Sequence, residues 1–144
     1  MQHTYTIENS LTLPRFNIKD RQLFDLELLL VGGFAPLTGF LNEADYDAVV
    51  SDMRLADGSL WPMPIVLDVP ASMAAEVGES VVLCDPYGNP LAVLEVESRW
   101  QPDKQAEAQA VYGTTDLAHP GVRYLMNQMH DTYLGGRVHQ LQLP

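Results

Sequence analysis

Between Asp20 and Val31, Leu23, Leu26 and Leu30 recur at helical spacing with Phe24 and Leu28 beside them, while Arg21, Gln22, Asp25 and Glu27 fall on the opposite side. The pattern predicts a helix capped by Asp20 that buries its leucine stripe. Gly32-Gly33 follows directly, where glycine reaches the left-handed geometry that closes a helix. The next residues, Phe34 to Leu41, form a proline-stiffened apolar elbow, and Asn42 is placed to cap a second helix over about 43–53. That helix is expected to bury Tyr46, Val49, Val50 and Met53.

The period then changes. Leu11-Thr12-Leu13, ahead of Pro14, reads as a short extended piece, and Asp57-Gly58 marks a turn before a proline-flanked approach to the strand Ile65–Val69. Ser80–Cys84 and Leu91–Ser98 read as two more strands, joined into an antiparallel hairpin by the turn residues from Asp85 to Pro90. Gly78 closes the segment Ser72–Val77. Pro102–Val111, rich in Gln, Ala and Glu, and Pro120–Met129, with proline at its first turn, read as helices. The tail Thr132–Leu143 reads as strand, interrupted at Gly135-Gly136. Short strands among helices make an α+β domain, and the length of 144 residues suits a single domain, 1–144.

Charge narrows the functional classes. The formal net charge of -11 argues against a nucleic-acid partner, whose phosphates are neutralised by lysine and arginine. From Glu43 to Glu97 the acidic residues Glu43, Asp45, Asp47, Asp52, Asp57, Asp68, Glu76, Glu79, Asp85, Glu95 and Glu97 are accompanied by one basic residue, Arg54, and read as a solvated acidic surface. Cys84 is the only cysteine, so no internal disulfide forms; its strand position makes it a small inert hydrophobe. The first eight residues lack a basic flank and an apolar stretch, and no run approaches the roughly 20 apolar residues that span a bilayer. A cytoplasmic protein without a membrane partner is expected.

Four segments together resemble a known family. Gly-Gly-Phe-x-Pro-Leu-x-Gly-Phe at Gly32–Phe40, then Leu-x-Asp-Gly-x-x-Trp-Pro-x-Pro-Ile-x-Leu-Asp-Val at Leu55–Val69, are similar to the amino-terminal domain of the ATP sulfurylases, or sulfate adenylyltransferases. Gly113-Thr-Thr-Asp-Leu-Ala-His-Pro-Gly-Val122 and Tyr133-Leu-Gly-Gly136 look like that domain's closing segments, so the resemblance runs from about Leu11 to Pro144. It implies a PUA-like mixed pseudobarrel with surrounding helices. It further implies the scaffold part of an enzyme that joins ATP and sulfate into adenosine phosphosulfate and pyrophosphate, with ATP and magnesium required by the whole enzyme. In that family the nucleotide and sulfate motifs, of the types Gln-x-Arg-Asn-Pro, His-x-x-His and Gly-Arg-Asp-His, lie in the following domain, and none occurs in this chain. No catalytic, cofactor-binding or metal residue is therefore assigned here, and no turnover is expected from the chain alone. The implied partner is the catalytic domain, in the same chain or another, with a homo-oligomer also open. A stand-alone PUA-like binding module and a docking protein for a separate sulfurylase or kinase are the alternatives.

The remaining candidates have structural readings. His3, His119, His130 and His139 show no ligand pair at helical spacing. Gly136-Arg-Val-His139 reads as strand, and His130-Asp131 are adjacent residues that do not face each other on a helix. Asp116 is expected to cap a turn that His119 holds through a backbone hydrogen bond, the alternative being contact with a catalytic domain. Trp61 reads as a core or rim anchor; Trp100, at the end of a strand, has no assigned role.

Overall fold

A computed structural model of the protein describes residues 5 and 12–141. The elements are β1 (Arg15–Asn17), α1 (Asp20–Leu30), β2 (Gly39–Phe40), α2 (Glu43–Asp52), β3 (Leu67–Val69), β4 (Ser80–Cys84), β5 (Pro90–Trp100), α3 (Lys104–Tyr112), α4 (Pro120–Asn127) and β6 (Thr132–Gln140). The strands pair in the order β1-β4-β5-β6-β2, with β3 added to β6. β1 runs parallel to β4, whereas β2-β6, β3-β6 and β4-β5 are antiparallel. This mixed sheet with four helices is the expected α+β architecture. The pairing is open, ending at β1 and β2, so the described strands do not close into a barrel.

The chain divides into two compact units, Met1–Phe40 with Ala74–Glu97 and Gly135–Pro144, and Leu41–Met73 with Ser98–Leu134. In the first unit the β4-β5 hairpin forms where expected. Asp85 organises its turn: Oδ1 accepts from the backbone N–H groups of Tyr87 and Asn89, both at 2.9 Å, and Oδ2 accepts from Asn89 Nδ2. Val82, Cys84 and Val93 form an apolar cluster onto which Tyr5, Leu13 and Leu141 pack. Thr12 and Leu13 lie in a turn and bend instead of an extended piece, and the strand starts later, at Arg15; Leu11 lies outside the described residues.

α1 departs from its predicted face. The buried residues are Gln22, Leu26 and Leu29, and Phe24 is 61% exposed. Burial of Gln22 is tolerable because its Oε1 accepts the Lys19 N–H at 2.9 Å, satisfying one of the donors a helix start leaves open. Lys19, with Asp20 after it, occupies the cap position, so Asp20 is not the cap. The helix ends as predicted, with Gly32 at φ +80° and the Gly33 N–H bonded to Leu28 O at 2.8 Å. In the elbow that follows, the Ala35-Pro36 peptide is cis; Phe34 and Leu37 are half-buried and Phe40 is buried.

β6 is not interrupted at its glycines. A Cβ on Gly136 would stand 1.8 Å from Glu95 O, and one on Gly39 would stand 1.9 Å from Gly136 O. The pair therefore permits close strand approach and leaves pairing intact. The last two predicted strand residues of the tail, Gln142 and Leu143, lie outside the described residues.

In the second unit Asn42 caps α2, its Oδ1 accepting from Asp45 N–H at 2.9 Å. Tyr46 and Val49 are buried as predicted, but Met53 ends the helix at φ +54° with its side chain 54% exposed. The Asp57-Gly58 turn is closed by Leu55 N–H to Ser59 O at 2.8 Å and Ser59 N–H to Asp57 Oδ1 at 2.8 Å. β3 is shorter than Ile65–Val69, because the Ile65 carbonyl accepts from Leu41 N–H outside the strand ladder. Helices α3 and α4 pack through Ala108, Val122 and Leu125.

Candidate functional site

The densest polar arrangement lies within the second unit, around Glu107 on α3. This carboxyl is 5% exposed, and its Oε1 accepts from Tyr133 Oη of β6 at 2.9 Å and from Tyr46 Oη of α2. Trp100, at the end of β5, packs on both tyrosines, with ring centroids 5.5 Å from Tyr46 and 5.8 Å from Tyr133; the tyrosine rings meet edge to face at 5.6 Å. The Trp100 indole N–H has no hydrogen-bond partner among the described residues. Burial pushes the Glu107 carboxyl up, against the opposing pull of the two tyrosine hydroxyls and of Lys104. Burial and the neighbouring Glu107 push the Tyr46 and Tyr133 hydroxyls well above their usual range, so both stay protonated donors.

Asp68 lies on β3, next in this network. It is buried, and its Oδ2 accepts from His130 N–H at 2.8 Å, so it departs from the solvated surface predicted for the acidic stretch. His130 contributes a backbone donor here, whereas Asp131 turns to Lys104 Nζ at 2.9 Å. The two neighbours thus have separate partners, as their adjacency suggested. The Lys104 ammonium also donates to Met129 O at 2.7 Å.

The Gly113–Val122 segment is a chain of local caps. Thr114 Oγ1 accepts from Asp116 N–H, and Asp116 Oδ1 accepts from Ala118 N–H at 2.9 Å. Asp116 O accepts from His119 N–H, and His119 Nδ1 caps α4 by accepting from Gly121 N–H at 3.1 Å. Pro120 takes the first helical position, and a Cβ at Gly121 would strike the Tyr112 ring. Thr114, Asp116, His119, Pro120 and Gly121 thus have local folding roles, as expected for Asp116 and His119.

Within the first unit, Glu95 meets His139 and Tyr5: His139 Nε2 contacts Oε1, and Tyr5 Oη donates to Oε2 at 3.3 Å while lying 3.2 Å from Ser80 Oγ. The Tyr5 and His139 rings lie 5.0 Å apart. His139 is part of β6, in agreement with the strand reading of Gly136–His139. Ser80 contacts Tyr5 and has no imidazole hydrogen-bonded to it among the described residues. Cys84 is fully buried, and burial raises its thiol above the ordinary value, leaving it a poor nucleophile.

Anion handling requires free cations or a metal site. Among the described residues no group of three or more His, Cys, Asp or Glu could hold a metal ion; His3 lies outside them. In the second unit Arg54 donates to Gly58 O, Arg99 to Ala71 O and Met73 O, and Arg123 to Leu117 O and Ala118 O. With Lys104 turned to Met129 and Asp131, the basic side chains of this unit are directed at local carbonyls and one carboxylate. No helix of the described residues is long and apolar enough to cross a membrane.

Sequence reasoning assigned no role to Glu107. Its partners Tyr46 and Tyr133 are 61 and 26 residues away, and a helix rich in Gln, Ala and Glu gives no local sign that one glutamate is buried.

Comparison with known proteins places this geometry. Residues 2–143 match the PUA-like domain family. Over 140 residues the chain is 46% identical to a sulfate adenylyltransferase of Symbiobacterium thermophilum, covering 96% of this chain and 35% of that one. Over 131 residues it is 46% identical to the sulfate adenylyltransferase of Saccharomyces cerevisiae, covering 90% and 25%. A hexameric APS kinase from Thiobacillus denitrificans shares the fold with a TM-score of 0.70 and 28% identity, over 95% of this chain and 23% of that one. The chain thus spans 35% and 25% of these two relatives' length, and the relatives contain further polypeptide. The chain belongs to the PUA-like domain family, in the form carried within sulfate adenylyltransferases.

Proposed function

We propose that this chain is the amino-terminal scaffold domain of a cytoplasmic sulfate adenylyltransferase, and that it supports the synthesis of adenosine phosphosulfate and pyrophosphate from ATP and sulfate without performing it. The observation that carries this reading is the 46% identity over 96% of the chain to an enzyme of which it makes up 35%. The internal chemistry agrees. Joining two anions requires convergent cations and helix N-termini, whereas the second unit's arginines hold backbone carbonyls and Glu107 lies among tyrosines. The partner is the catalytic domain, in cis or in trans. Its nucleotide and magnesium belong to that domain, and the acidity of this chain, -11, makes nucleic acid an unfavourable partner.

Two measurements test the reading. The isolated chain, given ATP, sulfate and magnesium in a pyrophosphate-release assay, is expected to show no turnover. A chimaera in which this chain replaces the matching segment of the yeast enzyme is expected to retain activity, while deletion of that segment abolishes it. Turnover by the isolated chain, or a folded chimaera as inactive as the deletion, overturns the proposal.

A further inference from the structure

Glu107 is a buried ionisable group that the scaffold reading does not use. A single oxygen of its carboxyl joins α2, through Tyr46, to β6, through Tyr133, while its own backbone lies in α3. The groups facing this cluster are mostly acidic or neutral. α2 contributes Tyr46 and Asp47, the start of α3 contributes Asp103 and Lys104, β3 contributes Asp68, and β6 contributes Tyr133. From the neighbouring elements, Arg99 of β5 and Arg123 of α4 are turned to the carbonyls of Ala71, Met73, Leu117 and Ala118. Lys104, the one cation among the described residues that acts on Glu107, is shared with Met129 O and Asp131. A carboxylate here would be buried near Asp68 with hydroxyl donors but no cation of its own.

We propose that Glu107 is a proton-dependent latch of the second unit: α2, α3 and β6 are held most firmly while its carboxyl carries a proton, and they loosen when it ionises. The sign follows from linkage. A carboxyl that binds its proton more tightly in the folded chain contributes stability fully present below its unfolded titration range and lost as pH rises through the folded one. Upward displacement by burial fits that direction.

The test compares the unaltered 144-residue protein with Glu107→Gln, which keeps the shape and the acceptor oxygen but cannot ionise. Denaturant unfolding is followed from acid to mildly alkaline pH. Asp25 and the ionisable groups that do not interact with Glu107 remain in both proteins and cancel in the comparison, while the tyrosine hydroxyls coupled to it stay protonated over this range. The unfolding constant of the unaltered protein is expected to rise with pH more steeply than that of Glu107→Gln, by up to about tenfold per pH unit where one proton is at stake. Parallel profiles overturn the proposal. Should the variant not fold, carboxyl-detected NMR of the unaltered protein decides. The latch requires Glu107 to titrate above the other glutamates, with amide exchange in α2, α3 and β6 accelerating over that range beyond the chemical rate. Ordinary titration, or exchange that does not follow it, rejects the latch.

Discussion

Gly136 is the residue at which the backbone leaves least room. With φ at +155° and Glu95 O 1.8 Å from the position of a Cβ, even a methyl group forces backbone to move. Gly136→Ala is therefore expected to cost about 3 kcal/mol, at the upper end of what overpacking costs, and to lower the urea midpoint accordingly. A midpoint unchanged within error would show that the sheet relaxes freely there. Asn42 presents a smaller and better-defined case. Its side chain satisfies one N–H at the start of α2, so Asn42→Ala should cost about 1 kcal/mol, while Asn42→Ser or Asn42→Asp should retain most of the stability.

At the scale of elements, α1 carries its own pH dependence. Asp25 is half-buried on this helix, and burial pushes its carboxyl from 3.8 up to about 6, with Arg21 pulling the other way. Because the folded value is the higher one, the contribution of this group is fully present below pH 3.8 and is lost as pH rises through about 6. Asp25→Asn should flatten stability across that window, as read from denaturation midpoints at fixed ionic strength. The effect is modest, since a partly exposed carboxyl is screened by water. A variant whose midpoint tracks the parent through the window would assign the dependence elsewhere. The β4-β5 hairpin behaves differently: Asp85 is half-buried, and its bonds to Asn89 hold its carboxyl below the usual range, so the turn loses that support only as pH falls below that range.

For the whole molecule, a net charge of -11 on 144 residues places repulsion against folding. Raising sodium chloride from about 0.01 to about 0.15 M shortens the Debye length several-fold and should raise the thermal midpoint. A midpoint that falls with added salt would mean that attractive ion pairs such as Lys104–Asp131 dominate. Reductant should leave the midpoint unchanged, because the single cysteine is buried in β4 and has no partner in the chain.

Much of this was local, and local features are legible. Asn42 before α2, Pro120 at the start of α4, the Asp57-Gly58 turn and the Asp85 hairpin each depend on residues within a few positions of one another, so the sequence determines them alone. The spaced motifs determined the family in the same way. Tertiary structure decided which face of a helix is buried: α1 turned Gln22 inward and Phe24 out, and Met53 ended in solvent, because leucine-rich helices allow several faces and only the packed neighbour selects one. It also left the sheet open, carried β6 through its glycines, and gathered Tyr46, Trp100, Glu107 and Tyr133 from four separate elements. Burial and proton affinity are properties of that assembly, since they depend on partners distant in sequence that no local pattern encodes.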